Sequence, residues 1–267
     1  MPVQPTRTQA RLEYLDWLRG AVIILMALDH TRDFLSHDIM AFGPTDLTKT
    51  TVAIFLSRWV THFCAPVFAF LAGTGAYLSL GRGKTRGDLA KFLITRGLWL
   101  AFLDLVWMKL AWTFNFDLTS WDAATLWALG WSMVALAGFI FLPLRVTAAI
   151  ALAIIALHNL TDHVRPKSFG SFAWLWQVLH VQSPVALGGR YTLFILYPLI
   201  PWIGVMAAGY AFGAIVKRER EARRRTIFWL GLGATLAFIL IRAANVYGDL
   251  HPWSAQGTPV FTALSFL

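Results

Sequence analysis

Long apolar runs alternate along this chain with short polar links. The runs approach the roughly 20 residues an α-helix needs to cross hydrocarbon. The pattern predicts seven spans, at about 14–35, 52–80, 92–112, 124–143, 146–162, 190–215 and 227–245. The expected fold is all-α: a single polytopic transmembrane helix-bundle domain over residues 1–267. The longest link, 163–189, contains SFAWLWQVLH, whose close aromatics suit a helix lying in the membrane interface or one capping a cavity. The final TPVFTALSFL is apolar but lacks a flanking charge or aromatic anchor, and reads as a chain cut short. No repeat of fixed period is present.

Composition supports the bilayer as solvent. Apolar residues make up 57% of the chain and charged residues 14%, where a soluble domain carries roughly 25% charged. The mean hydropathy is +0.59. The net charge of +9 does not point to nucleic acid, because the basic residues sit in links and form no aromatic-studded face. They read instead as orientation signals. Arg82, Lys84, Arg86 and Lys91 follow the second span, and Lys217, Arg218, Arg220, Arg223, Arg224 and Arg225 follow the sixth. With Arg7, Arg11 and Arg145 they place the N-terminus and the even links in the cytoplasm. The other links hold Asp46, Asp117, Trp121, Asp122 and Asp162. No cleavable signal precedes the first span. A single cysteine, Cys64, excludes an internal disulfide.

Charges inside spans are costly and ask for a partner or a purpose. The first span, RLEYLDWLRGAVIILMALDHTRDF, puts Asp16, Arg19, Ile23, Met26 and His30 at helical spacing. Arg19 and His30 are eleven residues apart, about 20° from whole turns and about 16 Å along the axis, so they share a face near opposite ends. Asp16 can pair with Arg19. Two readings stand: an interfacial ion pair with a histidine at the far end, or a functional face. In the second span His62 lies one turn before Pro66, which frees a carbonyl and predicts a kink. The small residues Ala72, Gly73, Gly75 and Ala76 permit close helix contact. His62 either shares a wet cavity with His30 or bonds a neighbouring helix. Arg58, Arg96, Asp104, Lys109, Arg190 and Arg242 read as ion pairs or interface anchors. The seven histidines show no metal-ligand spacing such as HExxH, so no metal is expected.

LDWLRG followed by MALDH resembles the opening of the transmembrane acyltransferase superfamily. WVTHFCAPVFAFLAGTGAYL and YPLIPWIGVMAAGYAFG narrow the likeness to bacterial members of the heparan-alpha-glucosaminide N-acetyltransferase catalytic-domain family. The resemblance implies an acyl-CoA-dependent O- or N-acyltransferase of the bacterial inner membrane. It would move an acetyl or other acyl group from cytoplasmic acyl-CoA to a sugar or glycan on the far side. Carried over by position, Arg19, held by Asp16, would bind CoA, His30 would act at the thioester, and His62 with Asp29 or Asp33 would support it. The expected partners are the bilayer, acyl-CoA and the glycan, with a homodimer as an open assembly state. The likeness departs in two places: the proposed catalytic histidine of the family's lysosomal enzyme has no match here, and family members generally have more than seven spans. A transporter using the intramembrane charges as a path is the main alternative, followed by a non-catalytic scaffold. A retinal-type protein lacks its lysine in the last span.

Overall fold

The computed structural model describes residues 13–35, 42–80, 83–248 and 252–267. The orientation charges Arg7, Arg11 and Arg82 lie outside the described residues. The chain falls into two compact units, Met1–Phe68 and Ala69–Leu267, divided inside one helix.

The first unit holds α1 (Glu13–Leu35), α2 (Val52–Thr61) and the start of α3 (Cys64–Leu80). Before α2, the Asp46 carboxylate accepts from the Thr48 hydroxyl and backbone N–H, which holds its pKa below the usual carboxylate range. Thr51 caps α2 by accepting from the Ile54 N–H at 3.3 Å. The helix breaks where Pro66 predicts: α2 ends at Thr61 and α3 restarts at Cys64. Proline is tolerated there because it falls in the first turn of the new helix, where N–H groups have no intrahelical acceptor. Leu15, Val22, Phe55 and Cys64 are buried. The Cys64 thiol donates to the Val22 carbonyl, so it is packed as a small apolar residue.

In the second unit α3, α4 (Arg86–Leu103), α6 (Thr125–Phe139) and α9 (Leu199–Val216) surround one core. Ala69, Ala76, Leu89, Leu136, Met206 and Tyr210 fill it. Lipid tails are as apolar as leucine, so close packing and interhelical hydrogen bonds must hold such helices together. The glycines supply the closeness. A Cβ on Gly97 would overlap the Gly130 carbonyl across α4 and α6, and one on Gly73 would overlap the Met206 carbonyl across α3 and α9. Thr74 donates to the Gly209 carbonyl at 3.0 Å, adding about 0.6–1 kcal/mol.

The helices give this unit two different ends. Lys217, after α9, lies over the Tyr77 ring near the end of α3, and Arg86, opening α4, donates to the Phe141 carbonyl after α6. This end is basic. At the opposite end the chain makes a three-stranded sheet, in the order β1 (Ser120–Ala123), β3 (Tyr191–Ile195), β2 (Ser183–Gly188). β1 runs parallel to β3, and β2 runs antiparallel to it through a turn with positive φ at Gly188 and Gly189.

The sheet corrects the all-α expectation and the sixth span. Residues 191–195 do not begin a helix, because YTLFI pairs on both edges and α9 starts only after Pro198. SFAWLWQVLH is helical, as a 3-10 segment Pro166–Phe172 leading into α8 (Ala173–His180). Four helical stretches are long and apolar enough to cross a membrane: Val52–Leu80, Leu144–Thr161, which contains α7 (Leu144–Leu157), Leu199–Val216 and Arg220–Ala244. They match the second, fifth, sixth and seventh expected spans. The other three fall short of that measure among the described residues: α1 carries too many charges and α6 has only 15 residues. The third breaks into α4, a π-helical turn (Asp104–Met108) and α5 (Lys109–Thr113).

Most of the other charges expected in or beside spans serve the backbone. Asp104, nearly fully buried, accepts from the Ala124 and Trp127 N–H groups at 2.7 and 3.0 Å and so caps α6. Lys109 donates to the Ser120 carbonyl and hydroxyl. Arg242, near the end of α10 (Arg220–Ala244), donates to the Ser265 and Phe266 carbonyls that close α11 (Pro259–Phe266). Asp104, Lys109 and Arg242, expected as ion pairs or interface anchors, thus all make hydrogen bonds to main chain. The apolar C-terminal run is that short helix, tied back further by Asn245 and Trp253, which exchange two hydrogen bonds. Arg96 and Arg190 lie over the rings of Phe92 and Tyr191.

Candidate active site

The charged face of α1 and the polar face of α2 meet around Asp29. On α1, Asp29, Arg32 and Asp33 fall within one turn; on α2, Ser57, Arg58 and Thr61 do the same. Asp29 Oδ1 accepts from Arg32 at 2.5 Å and from the Thr61 hydroxyl at 2.6 Å, while Oδ2 accepts from Arg58 at 2.8 Å. Arg32 continues to Asp33 at 2.9 Å and to the Ser57 hydroxyl at 3.2 Å. The Asp29 and Arg32 side chains are only 13% and 11% exposed. Two guanidinium groups thus face two carboxylates, and charge-assisted bonds satisfy both oxygens of Asp29.

His30 sits against this network, with its ligating nitrogen and the carboxylate oxygens of Asp29 and Asp33 all within 4.8 Å of one another. Such a trio has the right atoms for a cation, but the guanidinium groups already occupy the carboxylates. The carboxylate charge is therefore already compensated, which disfavours a metal at this trio. Chemically, the cluster offers an imidazole beside a charge-compensated network: a proton acceptor in fixed polar surroundings.

Asp16 and Arg19 form the expected pair on α1, at 3.3 Å with both side chains 40% exposed. Rise per residue separates Arg19 from His30 by about 16 Å, so α1 presents two stations. His62 lies in the turn after α2, exposed, with its N–H bonded to the Arg58 carbonyl at 2.9 Å. The sequence reading singles out Asp29 and Asp33 but misses that Arg32, Arg58, Ser57 and Thr61 complete the cluster. The available signal was the spacing of Ser57, Arg58 and Thr61, which puts three polar groups on one side of an otherwise apolar helix.

Apolar membrane-length helices with an ordered charge network near one histidine define a membrane protein with an internal polar site. The family model described as heparan-alpha-glucosaminide N-acetyltransferase, catalytic, matches residues 11–247. The chain belongs to that family, and with it to the membrane acetyltransferases. Neither the curated proteins nor the solved structures include a match to it.

Proposed function

We propose that this protein transfers an acetyl or other acyl group from cytoplasmic acyl-CoA to a sugar or glycan hydroxyl or amine across the bacterial inner membrane. Support comes from the family match, together with the saturated Asp29 network that lies beside His30. In this reading the chain is one domain with seven crossings and a cytoplasmic N-terminus, and α1 is the charged first span.

Arg19, steadied by Asp16, holds CoA phosphate, since a guanidinium is always charged and can bond bidentately. His30, as general base, takes the proton from the acceptor hydroxyl or amine as the acceptor attacks the thioester carbonyl. The new C–O or C–N bond forms, the C–S bond breaks, and the proton leaves with the CoA thiolate. In the covalent variant His30 carries the acyl group between the two. Asp29 and Asp33 position the site, with both Asp29 oxygens already engaged, and His62 assists from the adjoining turn.

The test is thermal stabilisation of the detergent-purified protein across an acetyl-CoA series. Binding raises the melting temperature with concentration. The wild type and His30→Ala are expected to respond, and Arg19→Ala to respond only at higher concentration. Absence of any response in a folded wild type would overturn the donor assignment.

A further inference from the structure

We propose that the junction between α9 and α10 is a binding site for anionic phospholipid headgroups, which contact it through their phosphate diesters. This inference is independent of the acyl-transfer reading.

Between α9 and the second turn of α10 the chain places Lys217, Arg218, Arg220, Arg223, Arg224 and Arg225. Only Glu219 and Glu221 oppose them, so the segment is strongly cationic. Two of the six are spent on local order: Arg218 donates to the Thr226 hydroxyl and Arg223 to the Val216 carbonyl, both at 3.2 Å. Lys217 covers the Tyr77 ring. Arg220, Arg224 and Arg225 remain on the exposed surface. Arg224 pairs with Glu221 at 3.7 Å, but the two side chains are 69% and 83% exposed, too open to hold the arginine.

The depth of these arginines names the ligand. Phe228 and Trp229 follow immediately, in edge-to-face contact and more than half exposed, and an apolar helix continues beyond them with no buried residue. Aromatic residues of this kind settle at the membrane–water interface. Arg225 precedes Trp229 by four residues, about 6 Å along the axis, which is the level of lipid phosphates. A cluster of four to eight basic residues beside a membrane helix attracts anionic lipid, each residue contributing about fivefold in affinity. The bilayer is also what covers the bare flank of α10, so no protein partner is required.

The experiment places the full chain in nanodiscs of phosphatidylcholine alone and of equimolar phosphatidylcholine and phosphatidylglycerol. It reads the melting temperature and, by native mass spectrometry, the lipids retained. Preferential retention of phosphatidylglycerol is expected, weakening at high salt as exposed charges are screened. The Arg220→Gln/Arg224→Gln/Arg225→Gln variant should lose on the order of a hundredfold in that preference, while the corresponding triple lysine variant keeps most of it. Equal retention of the two lipids by the wild type would overturn the proposal, as would a preference untouched by the glutamine changes. Displacement of phosphatidylglycerol by inorganic phosphate or acetyl-CoA at low concentration would overturn the lipid assignment in favour of a soluble phosphate ligand.

Discussion

Asp29 is where residue chemistry and stability meet most directly. Its two oxygens receive Arg32, Arg58 and Thr61, so removing it takes the carboxylate from Arg58 and leaves Arg32 with Asp33 and Ser57 in a poorly solvated place. Breaking such a pair costs about 3–5 kcal/mol when fully buried, and the partial exposure here brings the expected cost of Asp29→Ala to about 2–3 kcal/mol. Urea unfolding in detergent would measure it, and unchanged stability would show that the network is decorative. Thr61→Val removes one hydroxyl donor and should cost about 1 kcal/mol, with a smaller effect on activity than Asp29→Ala if Asp29 positions His30. The Asp16–Arg19 pair was readable because its partners lie three positions apart on one helix. Arg58 was not readable as the partner of Asp29: 29 residues separate them, and periodicity says nothing about which helix faces which.

At the scale of elements, the capping of α4 carries a pH dependence. Thr85 and Asp88 form a reciprocal capping box, and the hydrogen bonds from the Thr85 hydroxyl and backbone hold the Asp88 carboxyl below its ordinary 3.8. A depressed folded pKa stabilises the folded state above the unfolded value, and that contribution fades as pH falls through the lowered one. Amide protection in the first turn of α4, corrected for the intrinsic exchange rate at each pH, should therefore fall below about pH 4 in the wild type but not in Asp88→Asn, where it should be low throughout. Packing gives a second prediction. Gly130→Ala drives a methyl into the Gly97 carbonyl and should cost about 1–3 kcal/mol, while Gly138→Ala, with open space around it, should be near neutral; equal effects would refute the close approach of α4 and α6. The break before Pro66 and the helix within the 163–189 link were legible, because a missing N–H and an aromatic periodicity act locally. The strands were not: YTLFI sits inside an apolar run, and β1, its parallel partner, lies some seventy residues earlier.

For the whole molecule, the contrast between a basic end and a sheet end in the second unit makes membrane orientation testable. Positive charge marks the cytoplasmic face, so a cysteine placed at Lys84 should be labelled from inside the cell and one at Ser168 from outside. Cys64 is buried and adds little background. Labelling of both from the same side would refute the seven-span reading, in which an odd number of crossings separates those positions. The helical membrane character was legible throughout, since it rests on summed composition. The number of crossings was harder to read, because α1 spends its polarity on the Asp29 cluster and the third expected span is interrupted by a π-helical turn.

The small sheet also bears on how freely this protein can diverge. It draws its strands from separate connections and ties the ends of several helices together through main-chain hydrogen bonds, such as those from the Leu196 and Tyr197 N–H groups to the Ala123 carbonyl. Bonds of that kind do not depend on which side chains the strands carry. The connections that carry the strands can therefore exchange residues widely while the helix ends stay in register, leaving room for different surfaces to be tried on an unaltered frame.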